Sequence, residues 1–269
     1  MNFKGKIIII TGASSGIGLA SARLFASKGA KLILAARSQN KLDAIAGELS
    51  CQTDVLCLKT DVSIEADCRN LVEKGVERFG GIDILINNAG LSMRAMFKDL
   101  DLLVIKNLMD VNFWGTVYCT KYALPYILKA HGSVVGVISI AGFAGLPART
   151  GYSSSKYAIR GFLDTLRIEH LKDNLHVMVF APGFTSSNIR NTALTADGSQ
   201  QGETPRDEGK MMSASRVAEY LAKGISKRKS QMVLTSIGKL TVFLSKTFPR
   251  LTDRLEYNYM SKEPNSPLK

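Results

Sequence analysis

Short continuous apolar runs alternate along most of the chain with longer stretches in which apolar residues recur every three or four positions. Residues 6–10, 31–35, 55–59, 82–86, 133–140 and 174–180 form runs rich in Val, Ile and Leu. Runs of this kind predict strands buried on both faces, the pattern of a parallel sheet. The stretches between them, at residues 19–26, 40–49, 64–79, 99–130 and from Tyr152 to Ile168, carry helical spacing. The alternation is regular and without internal repeat, which predicts one α/β domain over residues 1–235, closing on a last strand at residues 232–235. Residues 184–215 break the pattern. Their centre, residues 195–205, is almost free of apolar side chains and predicts a mobile flap, or lid, over whatever the sheet binds.

Polar residues cluster where the predicted strands end. After the first strand comes Thr11-Gly12-Ala13-Ser14-Ser15-Gly16-Ile17-Gly18, and a helix follows at once. Strand, glycine-rich turn and helix place a pyrophosphate on a helix N-terminus, so the fold class expected is a doubly wound parallel sheet of the Rossmann type. The spacing is GxxxGxG rather than GxGxxG. The second strand ends in Ala36-Arg37-Ser38, where an adenosine ribose would lie. An acidic residue there would take a 2′-hydroxyl; Arg37 offers a planar fork for a phosphate and predicts NADP(H) over NAD(H). Asp61, beside Val62 at the end of the third strand, either meets the adenine or serves the turn. Asn87-Asn88-Ala89-Gly90 ends the fourth strand at the crevice of such a sheet. Asn112 lies inside an apolar helical stretch, where its amide needs partners; it is either structural or the holder of a water. Tyr152 and Lys156 stand four apart, on one helical face. A phenol beside an ammonium is an acid/base unit, and the positive charge predicts a tyrosine pKa drawn down from about 10 toward neutrality.

Composition narrows the picture. The 269 residues are 45% hydrophobic and 22% charged, ordinary for a protein with a sizeable core. Cys51, Cys57, Cys68 and Cys119 show no metal-ligand pairing, and residues 1–12 show no signal-peptide pattern. The expectation is a cytoplasmic protein with reduced thiols and no bound metal. No run of 18 or more apolar residues predicts a membrane-spanning helix. The net charge is +12, and residues 206–269 hold 13 Lys/Arg against 6 Asp/Glu. Nucleic-acid binding is not expected, because no binding motif and no aromatic platform accompanies the basic residues.

Taken in order, the TGxxxGIG turn (residues 11–18), NNAG (residues 87–90), Asn112, Ser139, YxxxK (Tyr152, Lys156) and Pro182-Gly183 make the chain resemble a short-chain dehydrogenase/reductase over about residues 5–235. The resemblance implies that Tyr152 is the acid/base group, that Lys156 holds the nicotinamide ribose and lowers the tyrosine pKa, and that Ser139 hydrogen-bonds the substrate oxygen. It implies that Asn112 holds a water leading from Lys156 to solvent. The implied cofactor contacts are Gly12, Ser14, Ser15, Gly16, Ile17 and Gly18 at the turn, and Arg37 and Ser38 at the 2′-phosphate. Asp61 and Val62 follow at the adenine, then Asn88, Ala89 and Gly90, with Tyr152, Lys156, Pro182, Gly183, Thr185 and Ser187 around the nicotinamide. A homodimer or homotetramer is implied as well. The chain departs from the common pattern at Ile138, where many members carry a second Ser, and in lacking a Val-Asp-Gly-Gly ending.

In place of that ending, residues 236–269 form a basic amphipathic extension. Ile237, Leu240, Leu244, Phe248, Leu251 and Leu255 recur at spacings of three and four among Lys239, Lys246, Arg250 and Arg254, and Pro249 predicts a break into two helices. The extension resembles that of the branch containing 11β-hydroxysteroid dehydrogenase. It either lies at a membrane interface or packs on its own domain or a sister subunit. The expected activity is NADP(H)-dependent interconversion of a carbonyl and a secondary alcohol on a hydrophobic substrate of steroid, retinoid, 3-ketosphingoid or fatty type. The alternatives are an NAD-linked alcohol dehydrogenase and a non-catalytic cofactor-binding protein.

Overall fold

The computed structural model describes residues 2–269, with Lys210 described by its backbone. Seven strands, β1 (Ile7–Thr11), β2 (Lys31–Ala36), β3 (Val55–Lys59), β4 (Ile84–Asn87), β5 (Ser133–Val137), β6 (His176–Ala181) and β7 (Gln231–Val233), form one sheet in the order 3-2-1-4-5-6-7. Every pairing is parallel. The order reverses between β1 and β4, so the crevice opens at the carboxyl ends of those strands. The helices are α1 (Gly16–Ala26), α2 (Gln39–Leu49), α3 (Glu65–Phe79), α4 (Leu102–Leu108), α5 (Gly115–Lys129), α6 (Thr150–Glu169), α7 (Ala214–Ser226), α8 (Ser236–Thr247) and α9 (Pro249–Met260).

The two-residue period of the strands divides the core. Ile8, Ile10, Leu32, Leu34 and Phe180 face one layer, packed against Phe25 of α1, Leu42 of α2 and Leu221 of α7. Ile9, Ile33, Leu85, Val134 and Val179 face the other, against Leu71 of α3, Ile127 of α5 and Leu163 of α6. Burial on both faces is why these strands read as continuous apolar runs.

Boundaries shift where polar residues take over. The fourth strand starts at Ile84 rather than residue 82. The fifth stops at Val137, because Ser139 turns the chain into a one-turn 3-10 helix, its Oγ accepting from the Ala141 N–H at 3.2 Å. The helical stretch around Asn112 is continuous from α4 to α5, but Met109–Trp114 is wound as a π-helical turn.

The polar flap carries its own bonds. Arg190 pairs with Glu208 and donates to the Thr185 carbonyl at 2.9 Å. Leu194 is buried and exchanges backbone hydrogen bonds with the loop after β4, from its own N–H to the Ser92 carbonyl and from the Arg94 N–H to its carbonyl, both at 2.8 Å. Polar side chains here bind one another instead of an apolar core, so low hydrophobicity does not leave the backbone unsupported.

Pro249 does separate two helices. They seat Gly238, Val242, Thr252 and Met260 inward. Most of the apolar stripe faces out: Ile237 is 77% exposed, and Leu240, Phe243, Phe248, Leu251 and Leu255 are exposed as well, while Leu244 is half-buried. Among the described residues, no helix is long and apolar enough to cross a membrane, and no group of His, Cys, Asp and Glu is placed to hold a metal.

Candidate active site

The glycine-rich turn joins β1 to the N-terminus of α1. A Cβ on Gly18 would lie 2.2 Å from the Gly12 carbonyl oxygen, so helix and turn approach only because that side chain is missing. Gly12 and Gly16 both take positive φ. Thr11 and Asn88 lock this turn to the end of β4. The Asn88 and Ala89 N–H groups each donate to Thr11 Oγ1 at 3.0 Å, and Asn88 Nδ2 donates to the Thr11 carbonyl at 2.9 Å. The first turn of α1 carries no acidic side chain, which leaves its N–H groups and dipole free to take an anion.

A cleft of about 330 Å³ opens in front of this turn. Gly12, Ser14, Ser15, Gly16, Ile17, Arg37, Ser38, Asp61, Val62, Asn88, Ala89, Gly90 and Ser187 line it, together with Lys41, Asn188, Ile189 and Thr192, which the sequence reading passed over. Lys41 lies in the first turn of α2, shortly after Arg37 and Ser38; a second cation so near the strand end was the available signal. The carboxylate of Asp61 serves the turn into α3, accepting from the Ser63 N–H at 3.0 Å, while the residue still lines the cleft. Ser187 closes on Gly16, where an added Cβ would come within 3.2 Å. Gly18, Pro182, Gly183, Thr185, Tyr152 and Lys156 are not among the lining residues. Thr185 is buried and donates to the Gly183 carbonyl at 3.1 Å.

Ser139, from the start of the 3-10 turn after β5, and Tyr152 and Lys156, from α6, converge beside the cleft. Tyr152 is 9% and Lys156 3% exposed. The Ser139 hydroxyl is near enough to the Tyr152 phenol to favour its ionised form. Lys156 Nζ donates to the Val137 carbonyl at 3.1 Å and lies 5.7 Å from the centre of the Tyr152 ring. Burial dominates the electrostatics. It pushes the Tyr152 phenol above its ordinary pKa, opposed by the Ser139 hydroxyl and by the charges of Arg149 and Arg190. It draws the Lys156 ammonium down to about 8. The expected lowering of the tyrosine pKa by Lys156 is therefore not found. The ammonium is directed at a backbone carbonyl beneath the ring, and the dry surroundings penalise phenolate more than the neighbouring cations favour it.

Asn112 is fully buried, and its amide is committed to protein. Oδ1 accepts from the Leu91 N–H at 2.7 Å, and Nδ2 donates to the Leu91 carbonyl at 3.0 Å and to Ser155 Oγ at 2.9 Å. Asn112 thus clamps the loop after β4 to α6. Its place inside a π-helical turn fits the tendency of such turns to mark functional positions. A Cβ on Gly90 would meet Asn112 Oδ1 at 3.0 Å and Lys156 Nζ at 3.4 Å, so glycine lets these groups share one corner.

A 3-2-1-4 parallel order with a glycine-rich turn at its switch point defines a Rossmann-type fold. The sequence profile of the short chain dehydrogenase family matches residues 6–197, and the chain belongs to that family. It is 32% identical over 268 residues to the dehydrogenase/reductase SDR family protein 7-like of Dictyostelium discoideum, covering 97% of this chain and 83% of that protein. It is 40% identical over 192 residues to 11-beta-hydroxysteroid dehydrogenase 1A of Arabidopsis thaliana, covering 70% of this chain and 54% of that one. Among solved structures, an alcohol dehydrogenase from Thermococcus sibiricus complexed with 5-hydroxy-NADP superposes with a TM-score of 0.76 at 26% identity, over 87% of this chain and 98% of its own. A short chain dehydrogenase/reductase from Burkholderia phymatum in complex with NAD shares the fold, with a TM-score of 0.83 at 24% identity over 93% of this chain and 96% of its own.

Proposed function

We propose that this protein is an NADP(H)-dependent reductase of a lipophilic ketone or aldehyde. The observation that carries the reading is the Ser139–Tyr152–Lys156 set, with Tyr152 and Lys156 buried, beside the Gly90 corner of a cleft lined by Arg37 and Lys41. The residues fit a dinucleotide. The N-terminus of α1 would hold the pyrophosphate, Arg37 and Lys41 a 2′-phosphate, Asp61 and Val62 the adenine, and Lys156 the nicotinamide ribose. When bound, the cofactor supplies the hydride. The chain supplies the proton and the placement. Ser139 and Tyr152 present two hydroxyls to one substrate oxygen, and Tyr152 donates its proton as negative charge develops there. A phenol held above its ordinary pKa rests as a donor, which suits reduction. Lys156, with its pKa near 8, is mostly cationic at neutral pH and suited to hold the ribose hydroxyls. The Tyr152 ring packs with Met93, Leu100, Val104, Leu108 and Leu194, so the substrate body meets apolar side chains.

Side-by-side calorimetry with NADPH and NADH tests the cofactor reading. Arg37→Ala should weaken NADPH roughly tenfold, the worth of one charge-assisted hydrogen bond, and leave NADH within about threefold. Equal losses for both would overturn the preference for the 2′-phosphate.

The exposed face of α8 and α9 supports peripheral contact with an anionic lipid surface. Its apolar residues are ringed by Lys239, Lys246, Arg250 and Arg254, all exposed, and the charge complements acidic headgroups. The full chain should pellet with phosphatidylserine-containing vesicles and far less with phosphatidylcholine alone. The triple change Ile237→Ser, Leu240→Ser, Phe243→Ser should abolish pelleting without loss of NADPH binding. Undiminished pelleting of the triple variant would refute the contact.

A further inference from the structure

Three arginines meet on one carboxylate beside the candidate catalytic tyrosine. Arg94 comes from the loop after β4, Arg149 from the residue before α6, Arg206 from the polar flap after β6, and Glu263 from the segment after α9. Arg149 Nη2 donates to Glu263 Oε2 at 3.2 Å, Arg94 Nε lies 3.5 Å from the same oxygen, and Arg206 Nη2 pairs with Oε1. The side chains of Arg94 and Glu263 are each 5% exposed, and those of Arg149 and Arg206 little more. The cluster therefore sets three guanidinium groups on one shared carboxylate in a nearly dry place, with half-buried Glu256 a further negative charge near Arg206.

Stability gives no reason for this arrangement. Burying an ion pair rarely gains over apolar packing, and an uncompensated cation adds repulsion. Burial lowers the pKa of Arg149, and Arg94 and Arg206 lower it further. The donor inventory is also incomplete. Arg94 gives Nη2 to the Pro264 carbonyl at 2.6 Å, but its buried Nε has no hydrogen-bond acceptor, and neither does Nε of Arg206. Arg206 is otherwise held flat, 3.7 Å from the Phe184 ring centre, with Nη1 donating to Tyr259 Oη at 2.9 Å. Planar forks in fixed orientations with donors to spare are suited to carboxylate or phosphate oxygens.

The place is as telling as the charge. Arg149 precedes Tyr152 by three residues at the start of α6, and its charge is felt at the phenol. The loops that carry the arginines are those that surround the substrate side of the sheet. Met93, the neighbour of Arg94, and Tyr152 belong to one apolar cluster. An apolar cluster bordered by a cationic one matches an amphiphile.

We propose that Arg94, Arg149 and Arg206 form an anion subsite that binds the carboxylate or phosphate head of the substrate, with Glu263 as the internal group it displaces. The proposal rests on the reductase reading and narrows its substrate to a carbonyl compound with an apolar body and an anionic end. Glu263 is a suitable stand-in. It belongs to a short segment held by few other bonds, among them Ser266 Oγ to the Met260 carbonyl at 2.9 Å and Arg94 to Pro264. An incoming anion replaces its oxygens one for one; Arg94 Nε, 3.5 Å from Glu263 without a hydrogen bond, and Arg206 Nε are the donors left to improve on.

The test uses the full chain with NADPH bound. Dodecanoate, dodecyl phosphate and dodecanol are titrated calorimetrically into wild type, Arg94→Gln and Glu263→Gln. At least one anion should bind ten or more times tighter than dodecanol, and the tighter of the two identifies the head group. Arg94→Gln should remove the preference while leaving dodecanol affinity unchanged. Glu263→Gln should tighten the anion severalfold by removing its competitor, and it carries the test alone if Arg94→Gln does not fold. Equal binding of the three probes, no binding of any, or a preference untouched by both substitutions overturns the subsite. NADPH affinity is measured in the same samples, so a failure of the cofactor reading registers separately.

Discussion

Tyr152→Phe should leave NADPH affinity within about twofold and lower turnover by roughly 10³-fold, within the range expected for loss of a general acid. The expectation follows from geometry. Tyr152 does not line the cleft, so the cleft keeps its shape without the hydroxyl, which is the acidic group beside Ser139. Phenylalanine keeps the ring and its packing against Leu108 and Leu194 and removes only the oxygen. Single-turnover reduction of a model ketone, read beside NADPH binding, checks both halves. A variant that retains a tenth or more of the rate would remove the proton-donor role. A variant that loses NADPH would show that the phenol belongs to the binding site.

Lys156→Met should make the cofactor-free protein more stable and inactive. The ammonium is buried, and its pKa falls from the ordinary 10.5 to about 8. A folded pKa below the unfolded one means that the unfolded chain holds the proton more tightly. The penalty is full below pH 8, where both states are protonated, and it disappears as pH rises from about 8 to 10.5. The separation corresponds to about 3 kcal/mol opposing folding at pH 7. Methionine keeps the apolar stem and forfeits the 3.1 Å bond to the Val137 carbonyl, a net loss of about 1 kcal/mol. Urea unfolding should show a gain of about 2 kcal/mol at pH 7 that vanishes or reverses near pH 10.5. A loss of stability at pH 7 would mean that the ammonium has a compensation the geometry does not supply.

The two predictions expose different limits of sequence reading. The sheet was legible because each strand is buried on both faces, and burial leaves a mark at every position of a run. The turn at residues 11–18 was legible because close backbone approach excludes side chains, and glycine is the mark of that exclusion. The electrostatics at Tyr152 were not legible. Spacing placed Lys156 near the phenol, but the sign of the shift depends on dryness and on where the ammonium points, and both are properties of packing. Lys41 was missed because a lysine at a helix start has many ordinary explanations. Glu263 was missed for a different reason: its partners lie at positions 94, 149 and 206, and no local pattern connects them. The stripe on α8 and α9 was visible as a periodicity, but periodicity alone does not say whether such a face is covered.

The π-helical turn at Met109–Trp114 has a consequence for how the chain tolerates change in length. A π turn holds one residue more than the α-helix around it. Deleting a single residue there would let an unbroken α-helix run from Leu102 to Lys129, with its neighbours still in place. The same deletion would swing Asn112 about 100° around the helix axis, away from Leu91 and Ser155. The link between the loop after β4 and α6 thus depends on a residue count as well as on residue types. An asparagine aligned at this position in a relative lacking the extra residue would not make the same clamp.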